Sequence, residues 1–194
     1  MQLAMIGNEL TIPKPGLKAV CPICKEEVIP KCGDINIWHW AHVKGTDCDS
    51  WSEPETEWHI QWKECFPKEN REVTIGPHRA DVQWMGRIIE FQHSPINQVD
   101  ICNREVFYGS MIWVLDGSSF TLHNALGMYG ELQEKGYCRW LWMHKAWLVS
   151  EKTIFIDRGE HVFKIRKFTD KGFYFDCITK DKFKRQYLNL RIDI

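Results

Sequence analysis

Apolar positions fall along this chain in short alternating runs punctuated by glycine, proline and aspartate, with fewer stretches of helical period. Gln2–Ile6 and a second run ending at Pro13 read as a strand pair about the turn Gly7-Asn8. Arg71–Ile75, Arg79–Trp84 and Arg87–His93 read as three strands, the last two alternating about the turn Met85-Gly86. Met111–Leu115 is continuously apolar, which predicts a strand covered on both faces. Four further strands are expected at Trp147–Val149, Thr153–Asp157, His161–Phe168 and Gly172–Ile178, with Asp170-Lys171-Gly172 as the turn between the last two. Ser52-Glu53-Pro54-Glu55 has the serine-x-x-glutamate form of a capping box and predicts a helix to about Phe66. Ser94-Pro95 predicts a second helix to about Tyr108. Leu122–Lys135 reads as helical despite two glycines, and Asp181–Asn189 as a short closing helix. The order of elements predicts a mixed α/β core whose sheet contains a central hairpin.

Length and charge narrow the picture. A chain of 194 residues that is 44% hydrophobic can bury one sizeable core and a small appendage. The net charge of −1 gives no global attraction to nucleic acid. Its distribution is uneven: residues 158–191 hold ten Lys/Arg against four Asp/Glu, either a phosphate-contacting end or a solvated strand face. The ten tryptophans point to a Trp-rich core or to a base-stacking surface. The first sixteen residues lack a charged start and a long apolar run, and no stretch of eighteen apolar residues occurs, so the expectation is a cytoplasmic chain without a membrane span. Eight cysteines in such a chain suggest reduced thiols or a metal site.

Residues 17–50 are rich in Cys, His, Gly and Asp, a composition that rarely makes its own core and often relies on a metal. Cys21-x-x-Cys24 is followed, after fourteen residues, by His39-x-x-His42. Two ligand pairs across a short loop suit tetrahedral zinc, in a structural role because four protein ligands leave no open position. Cys32 and Cys48 are alternative ligands, and a set of buried free thiols is the bland reading.

The hairpin carries the second candidate site. If its loop is Met85-Gly86, Trp84 faces Arg87, Asp81 faces Glu90 and Arg79 faces Gln92. Facing residues on one side of a sheet have Cβ atoms about 5 Å apart, where two carboxylates repel unless a cation lies between them. Mg²⁺, which prefers carboxylate oxygens and retains waters, fits that need. Glu90 sits among Ile88, Ile89 and Phe91, a costly setting for an unpaired carboxylate. The competing reading is an exposed hairpin with ordinary surface charges.

Asp81, eight residues, then Glu90-Phe91-Gln92 resembles the PD-(D/E)XK nuclease signature in its variant with Gln at the Lys position. The ordered set resembles the competence-protein CoiA-like nucleases more closely. It comprises Cys21–Cys24, His39–His42, Glu57-Trp58-His59 with Lys63, Arg79–Val82, Glu90–Ile96, Arg104 with Tyr108, and Ile112–Asp116. The resemblance spans about residues 18–117. It implies that Asp81 and Glu90, helped by the Phe91 carbonyl, bind a divalent metal. Gln92 would orient the attacking water or the scissile phosphate, and Glu57 would be an additional acid. Lys63, Arg79, Arg104 and Tyr108 are the candidate nucleic-acid contacts, with solvated helix faces as the alternative for Lys63 and for the Arg104–Tyr108 pair.

The resulting expectation is a restriction-endonuclease-like mixed sheet flanked by helices, with a small zinc-binding module at residues 1–50, a nuclease core at 51–145 and a β-rich extension at 146–194. Mg²⁺ or Mn²⁺ would be the catalytic cofactor and Zn²⁺ the structural one. DNA is the partner implied, with strandedness unspecified and a homodimer or larger complex open. The rival readings are a nuclease-fold DNA-binding adaptor that cleaves poorly, motivated by Gln92, and a protein-interaction module.

Overall fold

The computed structural model describes residues 1–35, 37–43, 48–123, 134–141 and 144–190. They divide into two compact units, Met1–Gln83 and Trp84–Ile194. Among the described residues no helix is long and apolar enough to cross a membrane.

In the first unit, β1 (Ala4–Ile6), β2 (Glu9–Thr11), β3 (Ala19–Val20), β4 (Glu27–Lys31) and β5 (His39–His42) form an antiparallel sheet in the order β2-β1-β3-β4-β5. Gly7 makes the expected β1–β2 turn with φ of 61°, a conformation that glycine adopts without Cβ strain. Met1, Ala4, Ala19, Cys21, Val28 and Trp40 form a small core beneath the strands. The cysteine-rich segment therefore contributes to a core, contrary to its composition, because Ala19, Val28 and Trp40 fall on one face of paired strands.

Helix α1 (Glu57–Lys63) starts later than the sequence suggests. Its cap is Thr56, whose hydroxyl accepts from the His59 N–H while the His59 ring accepts from the Thr56 N–H, a capping box with histidine in the glutamate position. Ser52 is not the cap, and Glu53 and Glu55 precede the helix with side chains reaching forward to His59 and Lys63. Strands β6 (Arg71–Ile75) and β7 (His78–Trp84) then pair antiparallel, at Arg71–Val82 and Val73–Ala80.

In the second unit, β8 (Arg87–Gln92), α2 (Gln98–Tyr108) and β9 (Met111–Asp116) form a strand–helix–strand unit with β8 parallel to β9, a connection that needs a crossover element. The chain continues through β10 (Leu122–His123), β11 (Lys135–Trp140), β12 (Thr153–Asp157), β13 (His161–Phe168), β14 (Gly172–Thr179) and α3 (Lys180–Gln186). Its sheet runs β10-β11-β14-β13-β12-β9-β8. β12 joins β9 in parallel, whereas β10 to β14 otherwise pair antiparallel, so the sheet is mixed. Strands β12, β13 and β14 thus belong to the same sheet as β8 and β9. Trp147–Val149, expected as a strand, lies in a 3-10 turn over Lys145–Val149. The helix expected over Leu122–Lys135 falls mostly on residues 124–133, outside the described residues, as does Trp142.

Register places Glu90, Trp113 and Ile154 side by side across β8, β9 and β12. That face meets α2, where Arg104 bonds Glu90 and Glu105 bonds Trp113. The opposite face carries Phe155, whose ring lies 4.5 Å from that of Phe183 on α3. Helices on both faces explain why β9 is buried throughout and β8 from Ile88 to Gln92. β8 therefore lacks the alternation expected of it. Asn97, rather than Ser94, caps α2 by accepting from the Asp100 N–H at 2.8 Å, and Gly109 ends it with φ of 63°.

Candidate functional site

The first unit brings together Cys21, Cys24, His42 and Cys48, with one donor atom of each lying within 4.8 Å of all the others. Cys21 Sγ is 3.6 Å from Cys48 Sγ, and Cys24 Sγ is 3.2 Å from His42 Nε2. Ligands held about 2.3 Å (sulfur) and 2.0 Å (nitrogen) from a tetrahedral ion sit roughly 3.5–3.8 Å apart, so the cluster has nearly the dimensions of a zinc site. Burial, reinforced by the Cys21 and Cys24 sulfurs, pushes the Cys48 thiol up to about 12. Cys24 moves the other way: burial opposes ionisation, but hydrogen bonds from the Glu26 backbone and from Cys48 and Cys21 outweigh it. Such thiols do not all ionise side by side unless a cation joins them. Three thiols and an imidazole can hold structural zinc.

One expected ligand is replaced. His39 bonds the Ile37 carbonyl at 2.9 Å and is not in the cluster. The reason is strand period: His39 and His42 are three apart in β5 and so point to opposite faces. Cys48, one of the two alternatives, takes the place. Its neighbour Asp49 is buried and ties this loop to β7, accepting from His78 Nδ1 and the Arg79 N–H, each at 2.8 Å.

The acidic residues of the first unit converge on Lys63. Its Nζ lies 2.5 Å from Glu55 Oε1 and 2.9 Å from Glu72 Oε1, and both Lys63 and Glu72 are buried. Asp81 lies across the β6–β7 ladder from Glu72, between the pairs Arg71–Val82 and Val73–Ala80. Glu72 has a positive φ of 50°, a costly conformation for a residue with a Cβ. Its carboxylate accepts the N–H groups of Gln2 and Leu3, which fastens the first strand to the cluster. Burial would push Glu72 up, but the charges of Lys63 and Arg79 hold it below the carboxylate range. Burial would likewise strip the proton from Lys63, but Glu72, Glu55 and Asp81 hold its ammonium above its ordinary value. Burial raises Glu55, with Lys63 opposing and Glu72 and Asp81 adding to the rise. His59 bonds Glu53 at 3.0 Å; burial disfavours its imidazolium, but Glu53 and the Asp81 charge carry it above its ordinary value.

Two expectations change here. Glu57 is exposed in the first turn of α1, and the acid beside Lys63 and within the field of Asp81 is Glu55. Lys63 is an internal counter-charge, not a surface group awaiting phosphate. Arg79 is half-buried, with its charge acting on Glu72.

In the second unit, the Glu90 carboxylate is 5% exposed and accepts from Arg104 Nη1 at 3.0 Å. Arg104 lies over the Trp113 ring at 5.9 Å, so it too is an internal partner. Phe91 is buried opposite Val114 of β9, and Tyr108 is half-buried against Phe107. Gln92 is buried and donates from Nε2 to the Ser94 carbonyl at 2.8 Å. β8 ends at Gln92, so His93 escapes strand alternation and lines the same cavity as Gln92, of about 150 Å³. His93 Nδ1 lies 2.7 Å from Asp116 Oδ2. Burial raises the Asp116 carboxyl, but bonds from Ser118 and His93 outweigh it and hold it below its ordinary value. The sequence reading gave Glu72 no role and Asp116 only a place at the end of the Ile112–Asp116 motif; their partners Lys63 and His93 are brought to them by the fold.

Comparison with known proteins adds one finding. Residues 17–50 match the family described as competence protein CoiA, N-terminal domain, a span that contains all four residues of the Cys/His cluster. No curated protein and no solved structure matches the chain.

Proposed function

We propose that the chain is a Mg²⁺- or Mn²⁺-dependent nuclease of the PD-(D/E)XK class that hydrolyses phosphodiester bonds in DNA, with a restriction-endonuclease-like core and a zinc-stabilised N-terminal module. The observation that carries the reading is Glu90: a carboxylate buried in a strand covered on both faces, held by Arg104, two residues from Gln92. Met85 and Gly86 both have positive φ, 49° and 74°, the conformation of the two-residue turn on which the expected facing of Asp81 and Glu90 depends. The match to the CoiA family agrees with this and points to a role connected with competence.

In this mechanism Asp81 and Glu90, with the Phe91 carbonyl, would hold the cation, which would supply charge neutralisation and an acidified water. Glu55 takes the part first expected of Glu57, and Lys63 keeps the surrounding carboxylates from repelling one another. Arg104 fixes the orientation of Glu90. Gln92 orients water or phosphate by hydrogen bonds but offsets no charge, which makes the reaction more dependent on the metal than a lysine variant would be. That neutral residue also motivates the second reading, a DNA-binding adaptor that keeps the fold and cleaves poorly.

Digestion of plasmid, linear and single-stranded DNA in Mg²⁺ or Mn²⁺ tests the proposal, comparing the parent chain with Asp81→Ala and Glu90→Ala. The expected result is metal-dependent cleavage lost in both variants. Cleavage that survives both substitutions overturns the site, and no cleavage of any substrate favours the adaptor.

A further inference from the structure

The cavity at the carboxyl end of β8 and β9 adjoins Gln92 of the proposed metal site and adds side chains that site does not use. Gln92, His93 and Ser94 form one wall, Leu115 and Ser119 another, and Phe120, Trp140, His144 and Trp147 enclose the rest. Gln92 and Leu115 are register partners at the ends of two parallel strands, the place where open α/β sheets offer a crevice to ligands. The aromatic side is preformed: Phe120 lies 4.3 Å from Trp140, and Trp147 is wedged edge-on against Trp113 at 5.2 Å. Ser119 and His144 are exposed. The His93 ring is fixed by the 2.7 Å bond between Nδ1 and Asp116.

Size decides among ligands. The volume of about 150 Å³ is far below the roughly 300–1,000 Å³ of sites that swallow a whole cofactor or drug-sized molecule. It is close to the cavity of about 150 Å³ that accommodates one benzene ring in an engineered protein core. One planar ring system fits. A heterocycle with edge donors and acceptors reaches the exposed Ser119 hydroxyl and His93 ring as well as the aromatic wall, which a purely apolar ring does not.

We infer that this cavity is a subsite for one nucleobase of a single-stranded or frayed nucleic acid, with His93, oriented by Asp116, facing the adjoining phosphate. The inference rests on the nuclease reading only in taking nucleic acid as the ligand. It assigns a substrate form, an unpaired base, because a base stacked within a duplex does not enter a cavity the size of one ring without leaving its stack.

The test is fluorescence anisotropy of a labelled oligothymidylate with the zinc-loaded protein and no added Mg²⁺ or Mn²⁺, competed by unlabelled oligothymidylate and by an abasic strand of equal length and charge. The protein is the full chain and its Asp81→Ala variant. Base–aromatic stacking predicts that the base-bearing strand competes about 5- to 100-fold better than the abasic one in both proteins. Ser119→Trp fills the mouth of the cavity without removing any core side chain, and it is expected to bring the two competitors to equal strength while thermal unfolding stays cooperative. If Ser119→Trp fails to fold, His144→Trp blocks the same mouth. Equal competition by both strands in the parent chain overturns the inference, as does discrimination that survives the blocking variant or no binding of either strand. Cleavage without base discrimination removes this subsite and leaves the nuclease reading standing; base discrimination without cleavage does the reverse.

Discussion

Lys63→Met is the most informative test of the buried charge cluster in the first unit. At an effective dielectric of about 20, opposite charges 2.9 Å apart, the Lys63–Glu72 distance, attract by about 6 kcal/mol. Desolvation of a fully buried ammonium cancels much of that, but losing one partner of a buried pair still costs about 3–5 kcal/mol because the other charge stays behind. Methionine keeps most of the lysine volume, so the loss is electrostatic: Glu55 and Glu72 would be left near one another and within the field of Asp81. Adding Glu72→Gln removes part of that repulsion and should recover about 1–3 kcal/mol, a coupling a double-mutant cycle can resolve. The pH dependence has a definite sign. Glu72 is held below its ordinary 4.5, so its stabilisation is present above that value and is lost as pH falls. Lys63 is held above its ordinary 10.5, so its contribution is complete below that value and is lost only as pH rises past it. The cost of Lys63→Met should therefore be largest between these limits and shrink in acid as the carboxylates protonate. Urea unfolding at pH 7 and pH 4 measures it. A cost below about 1 kcal/mol at pH 7, or strictly additive effects in the double variant, would refute the reasoning.

Elemental analysis of the purified chain should give one zinc, lost in Cys21→Ser and Cys48→Ser but retained in His39→Ala; zinc that follows His39 and ignores Cys48 contradicts the cluster described above. Asp116→Asn should destabilise the second unit by about 1.5–3 kcal/mol near neutral pH, the worth of a hydrogen bond to a charged group. Because Asp116 is held below its ordinary 3.8, the difference should vanish as pH falls through and below that value; a difference that grows in acid contradicts the assignment. Arg104→Met should cost about 3–5 kcal/mol by leaving Glu90 buried without its guanidinium, measured by urea unfolding, whereas a phosphate-contacting arginine would weaken DNA binding with stability unchanged.

Much of the architecture was legible because local chemistry and tertiary packing agree. Met85-Gly86, Gly7-Asn8 and Asp170-Lys171-Gly172 mark turns that the chain makes, and the apolar run at Met111–Leu115 is the buried strand it resembles. Helix starts were less legible. Ser52 and Ser94 satisfy a local capping pattern, yet Thr56 and Asn97 win because the residues before them are drawn elsewhere: Glu53 and Glu55 to His59 and Lys63, and the Ser94 carbonyl to Gln92. Of the four residues expected to hold zinc, Cys21, Cys24 and His42 lie in the Cys/His cluster and His39 does not. The two histidines look alike as ligands in sequence, but His39 and His42 are three apart in a strand and face opposite ways. The pairings of Asp116 and Glu72 were not legible for a different reason: their partners lie 23 and 9 residues away, and only the folded chain brings them together.

The central claim is that Asp81 and Glu90 share a divalent cation. Mn²⁺ titration followed by electron paramagnetic resonance tests it without depending on turnover or on the choice of DNA substrate, using zinc-loaded protein and the variants Asp81→Asn and Glu90→Gln. The account predicts a saturable Mn²⁺ site in the parent chain that is lost or weakened at least tenfold in each variant, with zinc content unchanged. Equal Mn²⁺ binding by all three proteins, or none by the parent, would contradict it.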